Sequence, residues 1–134
     1  MTTFIDASVI VAVLGDELDA YEQAARVRDA ADPCTSPLAV WEAVVALARR
    51  NVCTFEQARR DVEELMEVGG IRYAPITEHE GRIAIQAFET YGKGTGHPAQ
   101  LNMGDCFAYA CAKANHAKLL YKGNDFTHTD LADA

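Results

Sequence analysis

The sequence predicts an α/β domain in which a short parallel sheet carries helices on both faces. Three observations lead there. Short β-type runs alternate with longer stretches of helical period, and cap and stop signals bracket most of those stretches. The chain has 134 residues with 49% hydrophobic side chains, a size and composition that bury roughly two-thirds of the unfolded surface in one core. Strands separated by helices pair in parallel, because parallel neighbours need crossover connections. Residues 1–134 are read as one domain, with no repeat, linker or low-complexity tract.

Thr2 to Ile5 reads as a strand, and Val9 to Leu14, after Asp6-Ala7-Ser8, as the first turns of a helix that Gly15 and Asp16 break. Asp19 to Ala31 is an amphipathic helix with Ala20, Ala24 and Val27 on one side and Glu22, Arg26 and Asp29 toward water. Pro33-Cys34-Thr35 is expected as a brief extended link. Ser36-Pro37 starts the next helix, which runs to about Arg50, since the hydroxyl caps free N–H groups and proline loses nothing at the first helical position.

Thr54 to Gln57 and Thr77 to Glu80 fit capping boxes, with stops at Gly69-Gly70 and Gly92. Ile71 to Pro75 lies between those helices as a short strand. A further helix is expected from Asp105 to about His116, and Lys118 to Tyr121 as another strand. The helices between Pro37 and Val68 follow each other without a strand and are expected to project as a clip, a natural partner-binding surface.

Lys plus Arg is 12 and Asp plus Glu is 20, a net charge of −8, which argues against holding nucleic acid by a broad basic surface. A phosphate ligand would need local help, such as metal ions. Pro37 to Ala48, the longest nearly apolar stretch, is 12 residues and carries Glu42, short of the roughly 20 that a membrane helix needs. The N-terminus lacks the basic region and cleavage site of a signal peptide, so a cytoplasmic location is expected.

Cys34, Cys53, Cys106 and Cys111 form no C-x-x-C pair, and His79, His97, His116 and His128 form no H-E-x-x-H array, which argues against zinc. Cys106 and Cys111 read as small apolar filler. Gly92-Lys-Gly-Thr-Gly96 follows a helix and lacks both phosphate-loop spacings, so its glycines read as a turn between helices.

Four acids stand where acids are costly. Asp6 ends the first strand and Asp125 follows the last, and parallel strands place both on the rim where ligands bind in open sheets. Glu42 is the only charge from Pro37 to Ala48. On a helix it lies about 40° from Leu38 and about 60° from Val45, so it points with the packed face. Asp105 stands in an alanine-rich helical pattern among apolar neighbours. Singly, Asp105 could cap its helix, Asp6 and Asp125 could be turn residues, and Glu42 could pair with Arg49 or a partner arginine.

If they converge, their repulsion raises pKa values in the empty site and divalent metal relieves it. Four carboxylates balance two Mg²⁺ or Mn²⁺ ions, which take oxygen ligands. Two such ions about 3.5 to 4 Å apart can activate water, hold a phosphodiester and stabilise an in-line displacement.

Phe4 to Ile10, Glu42, Leu101 to Lys113 with the preceding Gly96-His97-Pro98-Ala99, and Leu119 to Leu131 together resemble the PIN-domain ribonucleases, specifically the VapC toxins of bacterial toxin–antitoxin pairs. The likeness spans nearly the whole chain. It implies a PIN-like three-layer α/β/α domain and a metal-dependent endoribonuclease that cuts cellular RNA until a VapB-type antitoxin restrains it.

By that likeness Asp6, Glu42, Asp105 and Asp125 are the catalytic, metal-binding acids. Ser8 and Thr127 match positions where a hydroxyl can assist. Asn102 and Asp130 are nearby polar candidates, Asp130 being alternatively a turn residue or helix cap. The likeness further implies homodimers and toxin–antitoxin hetero-oligomers, and an antitoxin that covers the clip and inserts an arginine into the acidic pocket. Val40, Trp41, Val44 and Val45 suit such a surface or ordinary core packing. DNA is implied only indirectly, through the antitoxin.

The acidity of the chain leaves Arg49, Arg50, Lys93 and Lys122 as scattered cations facing RNA. Two other readings remain: a catalytically silent acidic pocket that receives a partner's arginines, and an aspartyl-phosphate phosphatase. The phosphatase wants a second aspartate two residues after Asp6, where Ser8 stands.

Overall fold

The computed structural model describes residues 1–50 and 53–132; residues 51, 52, 133 and 134 of the expected domain span lie outside them. The elements are β1 (Thr3–Ile5), α1 (Ala7–Leu14), α2 (Ala20–Asp29), β2 (Pro33–Thr35), α3 (Pro37–Arg50), α4 (Phe55–Gly69), β3 (Arg72–Tyr73), α5 (Glu78–Tyr91), α6 (Met103–Ala114) and β4 (Lys118–Leu120). The strands form one sheet in the order β3-β2-β1-β4, with every pairing parallel.

Alternation along the strands separates two cores, because successive side chains point to opposite faces. Phe4, Cys34 and Leu119 face α5 and α6, where they meet Ala84, Ala87, Cys106, Ala110 and Cys111. Ile5 and Leu120 face the other way and pack with Val9 and Ile10 of α1, Val27 of α2, Ala43 and Leu47 of α3, and Val62 and Met66 of α4. Each fully buried Phe, Ile or Leu contributes about 1.5 to 3 kcal/mol. The result is the expected three layers, helices over sheet over helices.

Pro33–Thr35 is a strand and not a link: Phe4 registers with Cys34, and Thr35 Oγ1 donates to the Ile5 carbonyl at 2.8 Å. Three residues are too few to show a period, and proline is tolerated at a strand's first position. The last helix begins at Met103, two residues before the expected Asp105, with Asn102 as its cap.

Local signals elsewhere act as read. Ser36 Oγ accepts from Ala39 N at 3.0 Å, and Thr77 with Glu80 completes a capping box. Thr54 Oγ1 accepts from Gln57 N, but the Gln57 amide donates to Asp61 and leaves that box half made. Gly70 ends α4 with φ 63°, a left-handed conformation that glycine adopts without steric cost. Among the described residues no helix is long and apolar enough to cross a membrane.

Candidate active site

Asp6 sits at the seam of the first and last strands, with its N–H donating to the Leu120 carbonyl at 3.0 Å. It caps α1: Asp6 Oδ2 accepts from Ser8 N at 3.0 Å and from Ser8 Oγ at 2.6 Å. Ser8 Oγ in turn accepts from Lys122 N at 3.0 Å, tying Asp6 to the chain that leaves β4. Asp6 is 8% exposed. Burial raises its pKa, the Ser8 bonds oppose this, and the Asp125 charge adds to it, with a net upward shift.

Asp105 is the third residue of α6. Asn102 Oδ1 accepts from Asp105 N at 2.9 Å and Asn102 N donates to Asp105 Oδ2 at 3.1 Å, a reciprocal box that fixes the carboxylate over the helix start. Burial pushes its pKa up to about 7; the Asn102 bond opposes, and the charges of Asp125, Asp6 and Glu42 reinforce it. Asp105 therefore senses all three of the other acids.

Glu42 reaches the group from α3. Its carboxylate lies against Gly104, where a Cβ would approach Glu42 Oε2 to 2.1 Å. Burial and then the Asp6 charge raise its pKa to about 7. Among the described residues it has no cationic partner, so the pairing with Arg49 considered above is not made. Asp125 stands in the exposed turn after β4.

The structure thus brings the four acids into one electrostatic group, each contributed by a different segment. The starts of α1 and α6 both carry one of these carboxylates, where N–H groups and the helix dipole favour negative charge.

The donor set is oxygen only and electrostatically strained, which fits a hard divalent cation held by Asp6, Glu42, Asp105 and Asp125. Among the described residues no three His, Cys, Asp or Glu side chains already stand in a ready-made ligating group. Asp6 and Asp105 each have one carboxylate oxygen engaged in a local hydrogen bond. Cys106, next in sequence to Asp105, is buried in the core facing α5, and burial and the Asp105 charge push its thiol up to about 11.

The auxiliary candidates divide. Ser8 and Asn102 touch acids of the group and position them. Thr127 is exposed in the turn that follows Asp125, with its N–H donating to the Asn124 carbonyl at 3.2 Å. Asp130 belongs elsewhere: it accepts from Tyr109 OH at 2.7 Å and pairs with Lys113, fastening the chain after β4 to α6. Burial would raise the Asp130 carboxyl, but Lys113 and Tyr109 outweigh it and hold the pKa below the ordinary value.

Two of the cations expected to face RNA are also committed. Lys122 pairs with Glu17 and Asp19, and Arg50 pairs with Glu17. The sequence reading missed Gly104 as the seat of Glu42; its signal was a glycine inside the first turn of a helix, a position that costs about 1 kcal/mol relative to alanine.

The model of the PIN-domain family matches residues 3–131. The chain is 42% identical to a VapC ribonuclease of Rhizobium meliloti, over 96% of this chain and 99% of the relative. It is 37% identical to ribonuclease VapC28 of Mycobacterium tuberculosis, over 97% and 96% respectively. With ribonuclease VapC42 of the same species it shares 34% identity, over 97% of each chain. A full-length match of this kind, on a parallel sheet flanked by helices, makes the chain a member of the PIN-domain family, in the group of VapC ribonucleases.

Proposed function

We propose that this chain is a metal-dependent endoribonuclease toxin of the VapC type, a single PIN domain over residues 1–134 that works in the cytoplasm and hydrolyses RNA phosphodiester bonds with two Mg²⁺ or Mn²⁺ ions. The observation that carries the reading is the coupling of Asp105 to Asp6, Glu42 and Asp125, four carboxylates without a cationic partner among the described residues that would compensate the group.

In this reading Asp6, Glu42, Asp105 and Asp125 hold the ions. Bound Mg²⁺ or Mn²⁺ supplies Lewis acidity, lowering the pKa of water and offsetting phosphate charge. The chain's own residues provide the frame. Ser8 keeps one Asp6 oxygen engaged and leaves the other for a ligand, and Asn102 does the same for Asp105. Gly104 lets the Glu42 carboxylate come close to the start of α6. The Asp125 turn is exposed beside this group.

A VapB-type antitoxin is the proposed restraint, and homodimers and toxin–antitoxin hetero-oligomers the proposed assemblies. An arginine delivered by the antitoxin would compensate the same four carboxylates that the ions do, which gives inhibition an electrostatic basis.

The test is cleavage of end-labelled total cellular RNA by the purified, antitoxin-free chain with Mg²⁺ or Mn²⁺, beside Asp105→Asn and a chelator control. Discrete metal-dependent fragments, absent with Asp105→Asn, are expected. Equal cleavage by both proteins would point to a contaminant and remove Asp105 from the mechanism. Intact RNA with folded, metal-binding protein would favour the arginine-receiving pocket.

A further inference from the structure

Beside the acidic group, α3 and α4 border an open groove of about 560 Å³ lined by Trp41, Glu42, Val45, Ala46, Arg49 and Phe55. The α3 members recur at spacings of three and four, so they form one stripe of that helix. Trp41 is 60% exposed and Phe55 61%. Their aromatic faces stand in water although Ala43, Leu47, Ala58 and Val62 on the same two helices are fully buried.

Two features give the groove a chemistry beyond apolarity. Arg49 is exposed and, among the described residues, has no carboxylate partner, whereas the adjacent Arg50 is held by Glu17. Glu42 belongs both to this groove and to the acidic group, so the groove is continuous with the proposed cleavage site. Aromatic faces accept nucleobases by stacking, a guanidinium answers a phosphate, and together they track a single strand. A purely apolar protein segment would leave the unpaired guanidinium unanswered.

We propose that this groove is a subsite for single-stranded RNA, in which an unstacked base lies on the Trp41 indole and a flanking phosphate meets Arg49 as the strand passes Glu42 toward the four acids. The subsite rests on the nuclease reading above for its place beside the scissile bond. It explains how so acidic a chain holds RNA: the contact is local, aromatic and singly charged, without a basic field. A partner protein covering α3 and α4 would then exclude substrate directly.

Trp41 is the only tryptophan of the chain, so its fluorescence reports this groove alone. The Asp105→Asn protein with Mg²⁺ is titrated with a short mixed-sequence single-stranded oligoribonucleotide and with an abasic ribose-phosphate chain of equal length. Quenching by the first and not the second is expected. Trp41→Ala should weaken binding of the labelled oligonucleotide about five-fold or more, and Trp41→Phe should retain most of the affinity. Arg49→Gln should lower the salt slope of binding by about one.

Unmoved fluorescence together with unchanged affinity in Trp41→Ala overturns the subsite, even if the wild-type chain cleaves RNA, and leaves the groove to a protein partner. Failure of the nuclease reading shows separately, as intact RNA with wild-type protein and metal. In that event base-dependent quenching still decides the subsite by itself.

Discussion

The Glu42 carboxylate occupies the space over the Gly104 α-carbon that any side chain at position 104 would need: a Cβ there would lie 2.1 Å from Glu42 Oε2 and 2.6 Å from its Cδ. The obstructed atoms are the free end of a flexible side chain and not backbone. Gly104→Ala should therefore swing Glu42 aside at a stability change of less than about 1 kcal/mol, part of it offset by alanine's better helix propensity. RNA cleavage should fall about ten-fold or more. Thermal melts and cleavage rates of the same preparation check this, and undiminished cleavage would remove the seated Glu42 from the mechanism.

On the proposed reading, protons and metal compete for the same carboxylates. Glu42 and Asp105 are both raised to about 7, in each case first by burial and then by neighbouring acids. A carboxyl whose folded pKa exceeds its unfolded value binds its proton more tightly in the fold. Its stabilisation is thus full below pH about 4 and is lost as pH rises through about 7. In chelator, the wild-type chain should lose stability between pH 5 and 8. Asp105→Asn should regain on the order of 1 kcal/mol at pH 8 and nothing at pH 4, a figure kept low because Asp105 is only partly buried. Added Mn²⁺ should raise the melting temperature more at pH 8 than at pH 6, because ionised carboxylates bind it better. Melts across pH, with and without Mn²⁺, measure all three effects.

Asn102 serves the helix and the site at once, through its reciprocal bonds with Asp105. Asn102→Ala should cost about 1 kcal/mol of stability by removing the cap and should also slow cleavage, because Asp105 loses the bond to its own N–H. Asn102→Ser, which can cap, should restore both. A variant that lost stability while keeping full activity would show that the cap does not position Asp105.

What could be read from the chain depended on how local the cause was. Ser36, Thr77 with Glu80, and Gly70 act within a few residues, and the structure keeps them as caps and stops. Glu42 was conspicuous because a lone charge in an apolar run needs compensation. Gly104 gave no comparable warning: its meaning depends on α3 lying against α6, a contact between distant segments. The commitment of Lys122 and Arg50 to Glu17 is long-range in the same way, as is the pairing of Pro33–Thr35 with β1. The Asn102 to Asp105 box had a local signal, an N-cap residue followed three positions later by an acid, masked by setting the helix start at Asp105 itself.

Asp130 offers the contrasting case, an acid whose partners are Lys113 and Tyr109. Asp130→Asn should lower stability by up to about 1 kcal/mol, as expected of a partly exposed pair, and leave metal-dependent cleavage within about two-fold of wild type. A loss of activity comparable with that of Asp105→Asn would place Asp130 in the chemistry after all.

The pairing of β1 with β4, locked by the Ser8 hydroxyl beneath Lys122, joins the beginning of the chain to its far end. Asp6 leaves the ribosome early, yet its neighbours Asp105 and Asp125 follow only after nearly all the intervening helices. At roughly 5–20 residues per second, translation takes on the order of ten seconds to deliver them. Throughout that interval the nascent polypeptide lacks at least two of its four carboxylates, so the acidic group is not assembled. The same closure bears on truncation: a product that stops before β4 keeps Asp6, Glu42 and Asp105 but lacks Asp125 and one of the two strands that flank β1.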